Sequence, residues 1–166
     1  MKVYFAADHA GFEYKNDLIG FVRGEMGLEV EDCGAFEYDS QDDYPLIISA
    51  AARELSADVV AGRDNRAILI GASGQGEAIV ANRFPYVRAG VYYGPARNTQ
   101  TDADGRIFDI IGSMRAHNDA NALSLGARFI SAQEAREVVR AWLVQVTSSD
   151  ARHIRRTKEI DDLPAV

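Results

Sequence analysis

Hydrophobic and polar positions along the chain follow two alternating patterns. Five short apolar runs have the length of buried strands: 3–7, 28–31, 67–70, 88–92 and 121–125. Between them, apolar residues recur every three or four positions, which predicts helices over 12–27, from Tyr44-Pro45 onward, over 78–82 and over 132–146. Strands alternating with helices predict a parallel sheet covered on both faces. The expected fold is therefore α/β, a three-layer doubly wound sandwich with a mainly parallel, about five-stranded sheet (Rossmann-like).

The composition fits one domain of this kind. The 166 residues are 47% hydrophobic, enough for a single core, and we assign 1–148 to one domain and 149–166 to a basic C-terminal arm. Cys33 is the only cysteine, and we expect it to be a packing residue. A net charge of −7 argues against nucleic-acid binding. No apolar run is long enough to cross a bilayer and no signal-peptide pattern is present, so a cytoplasmic protein is expected.

A glycine-rich segment, 71–77, is the strongest candidate site. It reads Gly-Ala-Ser-Gly-Gln-Gly-Glu, follows an apolar strand and leads into a helix, an order that aims backbone N–H groups at an anion. Glu77 would repel a phosphate bound there, so we expect a transient anion such as an enediolate, with Glu77 as a candidate base. A nucleotide-binding loop is the alternative, but no Lys-Ser or Lys-Thr pair follows the glycines and the dinucleotide fingerprint is matched poorly.

Other polar residues stand next to predicted strands. Asp8 and His9 follow the first strand, and His117 and Asn118 lie just before the fifth. Ligands in α/β sheets bind beyond the C-terminal strand ends, so we expect these side chains to converge on the 71–77 loop. Taken singly, each has a simpler interpretation, such as a helix cap for Asp8.

Six motifs, in order along nearly the whole chain, resemble those of the type B ribose-5-phosphate isomerases. They are Asp8-His9-Ala10-Gly11, Asp43-Tyr44-Pro45, Gly74-Gln75-Gly76 with Ala81-Asn82, His117-Asn118-Asp119-Ala120-Asn121, Gly126-Ala127-Arg128 and Arg152-His153-Ile154-Arg155-Arg156. The same superfamily includes galactose-6-phosphate, allose-6-phosphate and tetrose-phosphate isomerases. The motifs therefore identify the superfamily better than they identify the sugar.

The resemblance implies an isomerase that moves a proton between C1 and C2 of a phosphorylated sugar through an enediolate, without metal or organic cofactor. Ribose 5-phosphate and ribulose 5-phosphate are the expected pair. Many family members carry a cysteine base at the position matching Gly71, whereas another branch uses a glutamate that Glu77 matches. The implied catalytic set is Glu77 as base, His117 with Asp8 for opening the sugar ring, and Ser73 with the N–H groups of Gly74 and Gly76 for charge on O1 and O2.

The resemblance also implies the substrate-binding set: Tyr44 and Asn118 beside the sugar, and His9, Arg128, Arg152 and Arg156 on the phosphate. Arg152 and Arg156 are four residues apart, so a helical tail would point both at one phosphate; for the tail alone, a solvated basic face is the alternative. Family members are dimers or dimers of dimers with active sites built from two subunits. We therefore expect a homodimer or dimer of dimers, with the arm on a partner subunit.

One segment, 94–105, departs from the family pattern. Its polar stretch makes a link about ten residues longer than the loops that usually join such elements. It is either a lid or specificity element or a tolerated surface insertion. Two other functions stay open: isomerisation of a different sugar phosphate (allose or galactose 6-phosphate, or a tetrose phosphate), and non-catalytic sugar-phosphate binding on the same fold. Retention of Glu77 with Asp8 and His117 favours the enzyme.

Overall fold

Five parallel strands form the central sheet of the computed structural model, which describes residues 1–98, 100–101, 105 and 107–163. The strands of the chain are β1 (Lys2–Ala7), β2 (Glu29–Asp32), β3 (Arg66–Gly71), β4 (Ala89–Tyr92), β5 (Gln100–Thr101), β6 (Ile107–Phe108) and β7 (Ala122–Gly126). The sheet order is β2-β1-β3-β7-β4, and β5 pairs with β6 in a separate antiparallel hairpin. β3 and β7 are buried along their whole length, as strands covered on both faces must be.

Helices cover both faces of this sheet. They are α1 (Phe12–Gly24), α2 (Tyr44–Val60), α3 (Gln75–Ala81), α4 (Ile110–Asn118), α5 (Ala132–Val144) and α6 (Ala151–Asp161). Alternate β1 residues divide between two cores: Phe5 packs with α1, α4 and α5, whereas Tyr4 packs with α2 and α3. The predicted three-layer α/β sandwich with a five-stranded parallel sheet is thus confirmed. In the described part of the chain, no helix has both the length and the apolar character that a membrane crossing requires.

The strand register defines two opposite edges of the sheet. Ala7 lies beside Ile70 and Gly71 beside Gly126, so β1, β3 and β7 end together at what we call the carboxyl edge. At the other end, Ala67 lies beside Ala122, and this is the amino edge. A strand rises about 3.3 Å per residue, so the five residues of β7 separate the two edges by roughly 13 Å.

The C-terminal arm lies near the amino edge. Asp150 caps α6 by accepting a hydrogen bond from the Arg152 N–H. At the other end of the helix, Arg88 just before β4 pairs with Asp161 at 2.8 Å. The arm is therefore helical, the condition under which Arg152 and Arg156 point the same way, and it is tied to the body of its own chain. Residues 164–166 of the predicted arm lie outside the described residues.

The structure departs from the predicted elements mainly between β4 and β7. Strand and helix limits elsewhere shift by at most three residues, as at the end of α1, Gly24 instead of 27, and the start of α3, Gln75 instead of 78. Of the predicted insertion 94–105, residues 99 and 102–104 lie outside the described residues, and 100–101 belong to the hairpin. α4 follows at once, capped by Asp109, which accepts a hydrogen bond from the Gly112 N–H. The hairpin was missed because two-residue strands are too short to show an alternating pattern.

Candidate active site

The glycine-rich loop is fixed in place by contacts at the carboxyl edge. Gly74 begins α3 with a positive φ of 75°, and a Cβ there would lie 2.9 Å from the backbone of Leu125. The Ser124 hydroxyl donates a hydrogen bond of 2.6 Å to the Gly74 carbonyl. The loop after β7 donates from the N–H of Ala127 to the Gly71 carbonyl at 2.9 Å. Only glycine tolerates both the conformation and the close approach at position 74.

Glu77 lies in the first turn of α3 and turns its carboxylate back onto the strand end. The residue is 4% exposed, and a Cβ built on Gly71 would overlap this carboxylate. Gly71 therefore leaves the space that the carboxylate fills. Burial raises the pKa of Glu77 above its ordinary value, and the charge of Asp8 raises it further. A hydrogen bond from its own backbone N–H opposes this by lowering the pKa. A carboxylate with a raised pKa is a better proton acceptor than an exposed one.

Asp8 is the second buried acid at this edge. One of its carboxylate oxygens accepts hydrogen bonds from the N–H groups of Ala10 at 2.9 Å and Gly11 at 3.1 Å. Burial raises the pKa of Asp8, while these N–H groups and the neighbouring His9 lower it. Because Asp8 and Glu77 each disfavour ionisation of the other, their protonation is coupled. This pair therefore holds a proton more tightly than exposed carboxylates do.

His9 stands beside these acids with a charge partner of its own. Its Nδ1 lies 2.7 Å from a carboxylate oxygen of Asp42. That hydrogen bond raises the pKa of His9, the charge of Asp8 adds to the effect, and burial and Arg128 oppose it. Arg128 is held nearby, since its N–H donates to the Ala72 carbonyl at 3.1 Å. His9 and Arg128 together form a cationic position at the carboxyl edge, suited to a phosphate.

Three side chains at this edge form the one group in the described part of the chain whose spacing would suit metal ligands. Asp8, His9 and Asp42 each place one possible ligand atom within 4.8 Å of the other two. One Asp8 oxygen already accepts from backbone N–H groups, and His9 Nδ1 is bonded to one Asp42 oxygen. The expectation that the protein needs no metal stays a prediction.

Tyr44 and Ser73 complete the carboxyl edge. Tyr44 is the first residue of α2, and its ring packs so closely on the glycine loop that a Cβ on Gly76 would lie 2.8 Å from the ring. Ser73 is partly exposed in the loop, with its hydroxyl 3.4 Å from the Gln75 N–H. If Tyr44 only began a helix, this contact with the loop would have no explanation.

Four of the predicted site residues lie elsewhere. His117 and Asn118 end α4, directly before β7, and Arg152 and Arg156 are on α6. The His117 ring stacks on that of His153, with centroids 4.3 Å apart and planes 10° apart. All four are at the amino edge. The prediction that His117 converges with Asp8 and the glycine loop is therefore wrong within a single chain, because residues that precede a parallel strand lie at its amino end.

Sequence reasoning missed two neighbours of the site. Asp42 belonged to a polar run that gave no reason to single it out, although it directly precedes the Asp43-Tyr44-Pro45 motif. His153 is buried, with its Nδ1 lacking a hydrogen-bond partner among the described residues. Its place in the arginine-rich stretch 152–156 suggested only a basic helix. Cys33 agrees with its predicted packing role, since burial raises the pKa of its thiol to about 12, which makes it a poor base.

The fold and the carboxyl edge define a class of protein: an α/β enzyme in which a buried carboxylate faces a glycine-rich loop and a cationic position suited to a phosphate. The family described as Ribose/Galactose Isomerase matches residues 3–160. The chain belongs to this family, which confirms the resemblance seen in the motifs.

Individual relatives agree over nearly their full length. The chain is 37% identical to ribose-5-phosphate isomerase B of Mycobacterium tuberculosis, covering 94% of this chain and 85% of the relative. It is 31% identical to ribose-5-phosphate isomerase B of Escherichia coli, covering 96% and 93%. The solved structure of ribose-5-phosphate isomerase B from Mycoplasma genitalium with bound ribulose-5-phosphate has a TM-score of 0.78 at 25% identity, covering 96% and 93%.

Proposed function

We propose that this protein is a cofactor-independent aldose–ketose isomerase that interconverts ribose 5-phosphate and ribulose 5-phosphate. The observation that carries the proposal is the Glu77 carboxylate, buried above Gly71 with a raised pKa and beside Asp8. Relatives named ribose-5-phosphate isomerase B, one of them with ribulose-5-phosphate bound, favour this sugar.

The chemistry assigned to the carboxyl edge is one proton moved between two carbons. Glu77 removes the proton from C2 of the open-chain aldose, the C2–H electron pair becomes the C1–C2 double bond, and negative charge moves to O1. Glu77 then returns the proton to C1, while the O2–H proton passes to O1 and the O2–H electron pair forms the C2=O2 carbonyl of the ketose. Ser73 and the N–H groups of Gly74 and Gly76 stabilise the charge on O1 and O2, a contribution of roughly 3 to 4 kcal/mol per donor in comparable oxyanion sites.

The remaining roles require a second copy of the chain. Asp8 at one edge and His117 at the other are too far apart to open one sugar ring together within a single copy, since the edges are roughly 13 Å apart. The proposal therefore places His117 and Asn118 of one copy over the Glu77 edge of another. The copy that supplies Glu77 also supplies His9 and Arg128 to hold the phosphate. The copy that supplies His117 adds Arg152 and Arg156 to the same phosphate, and Tyr44 lines the sugar. This makes the active unit a homodimer or a dimer of dimers, with the arm reaching a partner subunit.

A second candidate is the same reaction on a different sugar phosphate. The insertion after β4 favours it, because Tyr93 at its base packs against Phe129, the neighbour of Arg128, with ring centroids 6.1 Å apart. A segment placed there can change which sugar fits beside the phosphate. The cytoplasmic location, the absence of nucleic-acid binding and the two-part division at residue 148 stay predictions.

The test is exchange of the C2 proton in heavy water over pentose, hexose and tetrose phosphates, with and without a chelator. Deuterium at C2 of recovered ribose 5-phosphate is expected, together with ribulose 5-phosphate. The largest rate should be with the pentose, unaffected by the chelator. A larger rate on another sugar selects the second candidate. Binding without exchange on any sugar would leave a non-catalytic sugar-phosphate binding protein.

A further inference from the structure

One member of an ion pair at the carboxyl edge, Asp42, has no role in the reaction described above. Asp42, on the loop before α2, places a carboxylate oxygen 2.7 Å from Nδ1 of His9. The Asp42 side chain is 9% exposed and that of His9 is 28% exposed. The carboxylate is therefore on the buried side of the pair and the imidazole is on the more open side.

The pair determines which ring nitrogen of His9 is left for a ligand. An ionised carboxylate only accepts hydrogen bonds, so Nδ1 must carry the proton that joins it to Asp42. In the described residues no hydrogen bond to the other nitrogen, Nε2, is present. Nε2 is therefore the nitrogen that can meet a phosphate, and it donates to one only when the ring is fully protonated.

A purely structural role explains Asp42 poorly. Its second carboxylate oxygen is buried and has no hydrogen-bond partner among the described residues. Burying an acceptor in that state costs free energy, and buried ion pairs are often no more stabilising than apolar residues of similar size. The loop has a separate anchor, in which the Nζ of Lys15 lies 2.6 Å from both carboxylate oxygens of Asp32 and 2.7 Å from the Ala35 carbonyl.

We propose that Asp42 is a positioning residue for the substrate phosphate: it fixes His9 through Nδ1 and keeps the ring doubly protonated, so that Nε2–H points a charged donor at the phosphate. This deepens the proposed function, on which its catalytic consequence rests. The charged groups that act on His9 are Asp42 and Asp8, which favour the imidazolium, and Arg128, which opposes it. Without Asp42, only Asp8 would favour the charged ring against Arg128 and burial. The Nε2 proton donor would then be lost more readily.

The test compares Asp42→Asn with Asp39→Asn. Asp39 is exposed on the same loop and accepts a hydrogen bond from the Gln41 N–H at 2.9 Å, a bond that asparagine can also accept, so both variants lose one negative charge. For Asp42→Asn we expect KM for ribose 5-phosphate to rise by about tenfold or more, the scale of one charge-assisted hydrogen bond, with kcat within about twofold. The ratio of variant to native KM should grow as pH rises past about 6.5, where an unassisted histidine loses its charge. Asp39→Asn should match the native protein throughout.

A second measurement does not depend on turnover. The chain has only three histidines, so nitrogen NMR of the native imidazoles, with His9→Gln for assignment, reports the protonated nitrogens of His9 directly. We expect both to be protonated at pH 7 and the Nε2 signal to shift on adding inorganic phosphate. A neutral His9 with a bare Nδ1 would overturn the proposal, as would a KM ratio for Asp42→Asn that stays near one at every pH. If no sugar phosphate is isomerised but phosphate still shifts Nε2, and less so in Asp42→Asn, the proposed function fails and the role of Asp42 stands.

Discussion

The two edges of one sheet carry opposite kinds of polar group. At the carboxyl edge, Asp8 and Glu77 are buried with raised pKa values, and in the described part of the chain neither forms an ion pair with a lysine or arginine. At the amino edge, Asp119 is held by two arginines, Arg88 at 3.0 Å and Arg115 at 2.8 Å. Burying an acid without a cationic partner costs folding free energy. An acid paired with arginines instead helps to hold the fold together.

This difference indicates that the two edges of the sheet have different roles. Asp119 ends α4 in a left-handed conformation, with φ of 44°, and its two ion pairs fix the helix end that carries His117 and Asn118. The amino edge thus holds the end of α4 in place through ion pairs. In the proposed function, the carboxyl edge holds the acids that exchange protons. Neither edge contains the whole predicted site, so experiments that treat the edges separately test the proposal most directly.

The largest expected effect is at the carboxyl edge, in Glu77→Gln. Removing the base should lower kcat by at least about a hundredfold, with little change in KM, because a positioned general base contributes about two to four powers of ten. Steady-state kinetics on ribose 5-phosphate measure it. Glu13→Gln is the matched control, since Glu13 is in the first turn of α1 but is exposed, and it should retain native rates. Near-native turnover in Glu77→Gln would contradict the assignment of Glu77 as the base.

The next prediction tests whether one active site combines the carboxyl edge of one copy with the amino edge of another. Glu77→Gln and His117→Gln should each be nearly inactive, yet co-expression of the two should restore about a quarter of native activity, since about half of randomly paired dimers are mixed and each holds one intact site of two. Activity of the purified mixture is the measurement.

The control for that experiment mixes two variants of one edge, Glu77→Gln and Asp8→Asn. Every site in the mixed dimer then lacks one of the two acids, and no activity should return. Rescue in the control, or failure of rescue in the first pair, would contradict a site shared between copies. Gel filtration at a monomeric volume with full activity would contradict it as well.

Much of the carboxyl edge could be predicted from sequence because its parts are local. A strand, a glycine-rich turn and a helix follow one another within 66–81, so the position of Glu77 beside Gly71 depends on short-range geometry. The packing of the Glu77 carboxylate against Gly71 itself needed the structure. Sequence showed that Gly71 could not be the base, but not that its missing side chain makes room for one.

The amino edge could be predicted less well because its parts meet only in the folded chain. His117 and His153 stack although 36 positions separate them, and no pattern in either segment indicates the other. The error over His117 had a simpler cause. Its place before β7, and not after it, already puts it at the amino edge, but the prediction treated it like residues that follow a strand.

A smaller effect is expected from Gly71→Ala. The added Cβ would overlap the Glu77 carboxylate and move it from the reacting carbons, and displacement of a catalytic group by about 1 Å can cost up to about a hundredfold; we expect a kcat loss of roughly tenfold or more. Gly20→Ala is the control, because a Cβ at Gly20 meets nothing within 4 Å. Added to Glu77→Gln, Gly71→Ala should cost nothing further. A full additional loss would show that position 71 acts by another route.

At the amino edge, Arg156→Ala should raise KM by about tenfold and leave kcat almost unchanged, as expected for one charge-assisted hydrogen bond to the phosphate. Arg155→Ala is the neighbouring control, since Arg155 lies one residue away on α6 with its Nε 3.7 Å from Glu159. KM values for ribose 5-phosphate at several salt concentrations would separate a phosphate contact from general attraction. Equal behaviour of the two variants would favour a solvated basic face.

The smallest effect is on stability, and it has the opposite sign to the effect on rate. The pKa of Glu77 is raised in the folded state, so the native protein binds this proton more tightly than the unfolded chain, and folding loses stability as pH rises above the ordinary carboxyl value of 4.5. Glutamine does not titrate. Glu77→Gln should therefore match the native Tm near pH 4 and exceed it at pH 7, by about 2–4 °C for each 1 kcal/mol. Thermal unfolding without ligand between pH 4 and 8 measures this, with Glu13→Gln showing no such trend. A lower Tm for Glu77→Gln at pH 7 would mean that the carboxylate stabilises the carboxyl edge instead of being held there at a cost.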